Sequence, residues 1–233
     1  PLPDHDMFVR ATRDNLIRSQ RAQSSYAYKE RRTEFHVNPF GRLGTGGIEG
    51  WEVTPIEDGT VILKRLIERD GQRVTDGEVD RIKVRGEGRR EGGRTRMDDV
   101  VAMLTFKMER RESVNGRDAI VIAFAPRPDA DPETREGRIA KAFTGNVWVD
   151  EAAREVIRVE ATAVDTISFG FGLIARLNEG STVTLHRQPI EDGLWLPTSI
   201  RFAGEGRALL IRKLNVDQRI EWSEYRKVLN TGP

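Results

Sequence analysis

The stretch from residue 145 to residue 163 constrains the fold more than any other part of the sequence. Two strand-like runs flank a polar link at Asp150–Arg154, and the first run is Val147-Trp-Val149. In the second run, apolar residues at 157, 159, 161 and 163 alternate with polar residues at 158, 160 and 162. A period of two is typical of a strand with one apolar face and one solvated face. The stretch therefore predicts an antiparallel hairpin within a larger sheet, with Ile157 and Val159 on the same face.

Turn signals divide most of the remaining chain into further strands. Asp58-Gly59, Asp70-Gly71 and Asn115-Gly116 are dipeptides that favour two-residue hairpin turns. The run Ala119–Ala125 is apolar throughout, as in a strand that is buried on both faces. The fold class that we predict is α+β and dominated by β structure, with successive antiparallel strands and few helices.

Residues 4–24 have the pattern of an amphipathic helix that Asp4 or Asp6 caps. Its apolar side is expected to include Met7, Phe8 and Leu16. The helix would serve either to pack the core or to cover a cavity as a lid. We expect a single domain over residues 1–233, with the helix at 1–24, first hairpins at 25–73, a mobile or helical interruption at 74–104 and the main antiparallel run at 105–228.

Composition narrows the class of partner and the compartment. The 233 residues include 38 Lys and Arg against 37 Asp and Glu, a net charge of +1 that gives no reason to expect nucleic acid as a partner. There is no cysteine, which excludes disulfides and thiolate sites. No apolar run is long enough for a transmembrane span. Because the sequence begins at Pro1, we expect a periplasmic or otherwise exported protein whose signal peptide has been removed, although trimming for other reasons fits equally.

Residues for chemistry are sparse in this sequence. The three histidines, at positions 5, 36 and 186, are not at a spacing typical of metal ligands. No serine lies in a Gly-x-Ser-x-Gly motif. Adjacent Asp98 and Asp99 fit helix N-terminal charges better than an acid and base pair. We expect no catalytic residue, no metal and no cofactor, while carboxylates that only the fold brings together remain open.

Several short segments resemble the outer-membrane lipoprotein-sorting-protein-like group of bacteria, with its periplasmic lipoprotein carriers of the LolA and LolB type. The segments are Gly145-Asn-Val-Trp-Val-Asp150, Arg154-Glu-Val-Ile-Arg-Val159, Gly180-Ser181, Asp192-Gly-Leu-Trp-Leu-Pro197 and Glu221-Trp-Ser-Glu-Tyr225. The resemblance implies a curved, unclosed antiparallel half-barrel, covered by a few helices around an apolar cavity. It also implies lipid or lipoprotein acyl chains as partners.

Apolar strand residues are the candidates for the wall of such a cavity, and they serve equally well as ordinary core. The candidates within strands are Phe106, Ile122, Phe124, Val149, Ile157, Val159, Ile200 and Phe202. Phe169 and Phe171, in an aromatic and glycine-rich segment, are the candidates for its rim.

Three functions are compatible with these features. The first is a non-enzymatic envelope protein that binds a lipid, an acyl chain or a lipoprotein in the half-barrel. The alternative is an interaction or regulatory module of the envelope that binds a partner protein through the sheet surface. A hydrolase on a β scaffold is the third, and no motif supports it. A cavity would favour the first, and an exposed apolar patch elsewhere would favour the second.

Overall fold

In the computed structural model, residues 1–37, 45–56, 61–74, 81–85, 96–169, 175–191, 193–208 and 212–228 are described. The helices are α1 (His5–Gln23), α2 (Arg96–Ala102) and α3 (Arg135–Ala140). The first seven strands are β1 (Tyr26–Val37), β2 (Thr45–Ile56), β3 (Val61–Arg69), β4 (Gln72–Arg73), β5 (Arg81–Arg85), β6 (Leu104–Val114) and β7 (Arg117–Pro126). The others are β8 (Phe143–Asp150), β9 (Val156–Ala163), β10 (Ile167–Phe169), β11 (Ala175–Leu177), β12 (Thr182–Glu191), β13 (Leu194–Ala208) and β14 (Arg212–Lys227).

The strands form one antiparallel sheet that is not closed. Eleven of them follow the order β4-β3-β2-β1-β14-β13-β12-β9-β8-β7-β6, and β5 pairs with β3 while β11 joins β10 to β13. Among the described residues, β6 at one end of this order does not pair with β3, β4 or β5 at the other. In the described part of the chain, this open sheet with three helices confirms the predicted fold class and is consistent with a half-barrel.

Two of the predicted turns have the backbone that their sequences favour. Asp70 and Gly71 have φ values of 51° and 81°, and Asn115 and Gly116 have values of 52° and 77°. Positive φ at both central residues matches the twist of two antiparallel strands, so β3–β4 and β6–β7 are tight hairpins. The predicted turn at Asp58-Gly59 lies outside the described residues.

Helix α1 begins where the sequence predicts, because the Asp4 side chain accepts a hydrogen bond from the Met7 backbone N–H at 2.9 Å. Phe8 is only 2% exposed and packs against Ile120, Ile122 and neighbouring residues. Met7, in contrast, is 75% exposed, so its predicted place on the apolar side of the helix is wrong. Its neighbour Phe8 occupies the sheet-facing position, and the two side chains point in different directions around the helix.

The two faces of the sheet are named by the position of α1, whose Phe8 packs against one of them. The inner face is the side that carries α1 and includes Ile120, Ile122 and Phe124, and the outer face is the opposite side. At β7 both faces are buried, since Ala119 and Val121 on the outer face are fully enclosed as well. The prediction of a strand buried on both sides is confirmed here.

A β-bulge changes the predicted alternation of β9. Val149 pairs with Val156 and Trp148 pairs with Arg158, which leaves Ile157 as the extra residue. Ile157 therefore packs on the outer face with Trp148 and Trp195, whereas Val159 packs on the inner face. The prediction that Ile157 and Val159 share one face is wrong for this reason.

The segment 74–104, expected to interrupt the sheet, contains both a strand and a helix. β5 pairs with β3 over Val61–Arg65, and α2 follows within the same segment. Residues 75–80 and 86–95 lie outside the described part. The assignment of one domain to residues 1–233 stays a prediction.

Candidate functional site

Two cross-strand rows of side chains cover the inner face. Residues that lie opposite each other in neighbouring antiparallel strands point to the same face, so the register defines each row. The first row runs across seven strands through Met108, Ile122, Val147, Val159, Leu185, Ile200 and Ile220. The second row runs across the same strands through Phe106, Phe124, Gly145, Ala161, Val183, Phe202 and Gln218.

The rows are apolar over most of their length, but their burial changes along the sheet. Phe124 belongs to a buried cluster beneath α2 and α3, and Ala161 and Val183 pack against that cluster. Leu185, Ile200 and Phe202 are partly exposed, and among the described residues they belong to none of the buried clusters. The inner face therefore extends as an apolar surface from the core onto β12 and β13, where part of it remains accessible.

Gly145 occupies the β8 position in the second row, between Phe124 and Ala161. A Cβ at this position would lie 1.9 Å from the backbone oxygen of Glu160 on β9. Only glycine allows β8 and β9 to approach so closely here.

The structure brings most of the predicted cavity residues together. Phe106, Ile122, Phe124, Val159, Ile200 and Phe202 all lie on the two rows. Val149 lies on the inner face beside Phe8 of α1, whereas Ile157 is on the outer face and does not belong to this surface. The side chain of Phe169 and the whole of Phe171 lie outside the described residues. A role in ligand binding stays a prediction for each candidate.

Six apolar members of the rows were missing from the predicted set, namely Met108, Val147, Ala161, Val183, Leu185 and Ile220. Leu185 alternates with Val183 in a strand-like run, so their common face was visible in the sequence. That this face joins Val159 on one side and Ile200 on the other depends on strand order, which the sequence alone does not determine.

The rows end at a polar group on β1. Ile220 at the end of the first row pairs with Arg32, and Arg32 lies 3.8 Å from the buried carboxylate of Glu30. Glu30 accepts hydrogen bonds from Lys64 Nζ at 3.1 Å and from Trp222 Nε1 at 3.2 Å. Burial and, to a smaller extent, the charge of Glu30 raise the pKa of Tyr28 to about 12. This network gives the apolar surface a polar boundary with paired charges.

Two further observations concern the described part of the chain alone. None of its helices is long and apolar enough to cross a membrane. Within it, no three or more His, Asp or Glu side chains are placed together as they would be around a metal ion.

Comparisons with known proteins give similarity to solved structures only. No family model matches the sequence, and no curated protein matches it. The chain is similar to a DUF1329 family protein from Desulfovibrio piger, with 15% identity, a TM-score of 0.42 and coverage of 96% of this chain and 95% of that chain. It is similar to a putative outer membrane lipoprotein-sorting protein domain from Vibrio parahaemolyticus, with 15% identity, a TM-score of 0.41 and coverage of 95% and 93%.

A LolA superfamily protein from Nitrosomonas europaea is similar at 12% identity, with a TM-score of 0.35 and coverage of 94% of each chain. The last two structures come from the group that the sequence resembles. All three TM-scores are below 0.5, so these similarities do not indicate which residues form a site.

Proposed function

We propose that the protein is a non-enzymatic envelope protein that binds an acyl chain, from a lipid or a lipoprotein, on the inner face of its open sheet. One observation carries the proposal: the apolar rows continue from the buried core onto Leu185, Ile200 and Phe202, where they are only partly covered. The envelope location rests on the resemblance of the sequence to periplasmic carriers.

An acyl chain suits this surface because it is apolar along its length and needs no directional partner. Burial of each methylene contributes about 0.8 kcal/mol, so roughly eight methylenes would contribute about 6 kcal/mol before the entropic cost of binding. The polar side chains of Arg32 and Glu30 on β1 limit the apolar contact to the seven strands that the rows cross, from β6 at one end to β14 at the other.

Native mass spectrometry of the freshly purified protein, followed by organic extraction, tests the proposal. We expect an acyl-containing species that excess fatty acid displaces. A protein that carries no lipid and binds none of a series of fatty acids, phospholipids and acylated peptides would refute it.

Two substitutions at adjacent positions test which face of the sheet binds the acyl chain. Leu185→Asp puts a charge in the first row, whereas Thr184→Asp puts the same charge on the outer face opposite Arg201. We expect Leu185→Asp to abolish binding of a fluorescent fatty acid and Thr184→Asp to retain it, with both variants folded by circular dichroism. Equal binding by the two variants would exclude the inner face as the site.

The alternative is an envelope module that binds a partner protein on the outer face, and the exposed ring of Phe35 favours it. Phe35 is 52% exposed, and the guanidinium carbon of Arg201 lies 5.7 Å from its ring centroid. Enrichment in aromatic residues and Arg is typical of the core of protein interfaces. A lipid-free protein whose capture of one defined envelope protein is lost in Phe35→Ser would support this alternative.

A further inference from the structure

An open cleft lies beside α1 at the ends of strands β7, β9, β12 and β13, and neither apolar row lines it. It has a volume of about 470 Å³, within the range of small-ligand sites. Arg18 of α1 and Arg117 of β7 line it together with Glu155, Ile190, Glu191 and Trp195. None of these residues belongs to either row, so the cleft is distinct from the surface proposed for acyl chains.

The two arginines in this cleft have donors that no described residue uses. Arg117 is 49% exposed, and its Nε donates to the buried carboxylate of Asp150 while its guanidinium carbon lies 5.2 Å from the Trp195 ring centroid. Arg18 is 62% exposed, and its nearest described charge is Glu155 Oε1 at 3.7 Å. Within the described chain, the terminal nitrogens of both guanidinium groups donate no hydrogen bond to protein.

The two carboxylates in the wall, in contrast, already have partners. Glu155 is buried and accepts hydrogen bonds from Arg187 Nη1 at 3.2 Å and from Ser19 Oγ at 3.3 Å. Glu191 accepts a hydrogen bond from the hydroxyl of Tyr26. Among the described residues that line the cleft, the hydrogen-bonding groups without a protein partner are therefore mainly the N–H donors of Arg18 and Arg117.

Guanidinium groups bind carboxylates and phosphates through paired N–H donors. A phosphate dianion would meet both Glu155 and Glu191 in the same wall, which disfavours a doubly charged ligand. Ile190 and Trp195 supply apolar surface beside the two arginines. The ligand that fits this combination has one negative charge and an adjoining apolar group.

We propose that the cleft between Arg18 and Arg117 binds a carboxylate that has an apolar group next to it. N-acylated apolar amino acids and the C-terminus of a peptide that ends in an apolar residue share this chemistry. The carboxylate lies between the two guanidinium groups, and the apolar group contacts Ile190 and Trp195.

Titration by calorimetry, with NMR of the Gly193 amide and the Trp195 indole, tests this site. The probes are N-acetyl-leucine, a tetrapeptide that ends in leucine, and the amide of each, which lacks the charge. We expect at least one acid to bind more than tenfold tighter than its amide and to shift both signals. If the peptide binds as tightly as N-acetyl-leucine, the ligand of the cleft is the C-terminus of a peptide. If the peptide does not bind, the ligand is a free N-acylated amino acid.

Two substitutions on α1 distinguish binding in the cleft from attraction of the acid to the overall positive charge of the helix. Arg18→Gln is expected to weaken binding of the acid about tenfold, and Arg10→Gln, which removes an exposed charge elsewhere on the helix, is expected to leave it unchanged. Leu185→Asp is expected to retain binding in the cleft, so the result is independent of the acyl-chain proposal. Equal affinity for acid and amide, or unchanged affinity in Arg18→Gln, would overturn the inference.

Discussion

Val183 on β12 lies directly opposite Phe202 on β13, and Val183 also packs against the buried cluster that contains Phe124. This pair is where the hydrophobic core continues into the partly exposed apolar surface of the inner face. Phe202 points inward and Ala203 points outward on the same strand. Substitutions on β13 can therefore distinguish an effect on the proposed acyl-chain binding from an effect on the free energy of unfolding.

Phe202→Ser is expected to weaken acyl-chain binding at least tenfold while it lowers the free energy of unfolding by less than about 2 kcal/mol. Phe202 is only partly buried, so its removal leaves a smaller cavity than a core phenylalanine would. Fatty-acid titration and urea unfolding measure the two effects. Ala203→Ser on the outer face is the control and should change neither quantity appreciably. Unchanged affinity in Phe202→Ser would remove the second row from the proposed site.

Phe8→Ala is expected to lower the free energy of unfolding by roughly 3–5 kcal/mol, because the ring fills the space between α1 and the sheet. Met7→Ala, one residue earlier on the same helix, should change it by less than about 0.5 kcal/mol, since Met7 is largely exposed. Equilibrium unfolding in urea gives both values. Similar effects for the two substitutions would contradict the orientation of α1.

The sequence predicted the hairpins and the inward residues well where local rules apply. The turns at Asp70-Gly71 and Asn115-Gly116 follow from the φ values that those residues adopt readily. Ile157 was misplaced because a bulge depends on how β8 and β9 pair, which simple alternation does not contain. The cleft was missed for a related reason, since Arg18 and Arg117 are far apart in sequence and only tertiary structure places them together.

Asp99 illustrates how the fold assigns a role that adjacent residues do not reveal. Its buried carboxylate accepts hydrogen bonds from the Thr134 backbone N–H at 2.8 Å and the Thr134 hydroxyl at 2.7 Å, and also from the Glu133 N–H. Asp98, its neighbour, instead pairs with Arg13 of α1 at 2.7 Å at a more exposed position. The two aspartates therefore connect α2 to different parts of the protein.

Asp99→Ala is expected to lower the free energy of unfolding by about 2–4 kcal/mol, because it removes an acceptor and leaves the Glu133 and Thr134 backbone N–H groups without it. Asp98→Ala should cost less than about 1 kcal/mol, as is usual for ion pairs near the surface. Thermal and urea unfolding of the two variants provide the comparison. Equal costs would show that the buried network at Asp99 does not stabilise the α2–α3 region.

The Glu155–Arg187 pair beneath α1 predicts a dependence of stability on pH. Both side chains are buried, and burial raises the pKa of Glu155 above its usual value while Arg187 and Ser19 oppose the shift. Arg187→Met removes the buried positive charge, so at neutral pH the buried carboxylate keeps only the Ser19 hydrogen bond and the exposed Arg18 at 3.7 Å. We expect a loss of roughly 3–5 kcal/mol at pH 7.

This loss should become smaller as the pH falls. A group whose pKa is raised in the folded state contributes stability that is present below its unfolded pKa and is lost as the pH rises through its folded pKa. Removal of Arg187 raises the folded pKa of Glu155 further, so protonation near pH 4 relieves most of the cost. Urea unfolding of both proteins between pH 4 and pH 8 measures it, with Glu155→Gln/Arg187→Met as the control whose deficit should not grow as the pH rises over that range. A deficit of the single variant that is constant from pH 4 to pH 8 would show that Glu155 is not the group responsible.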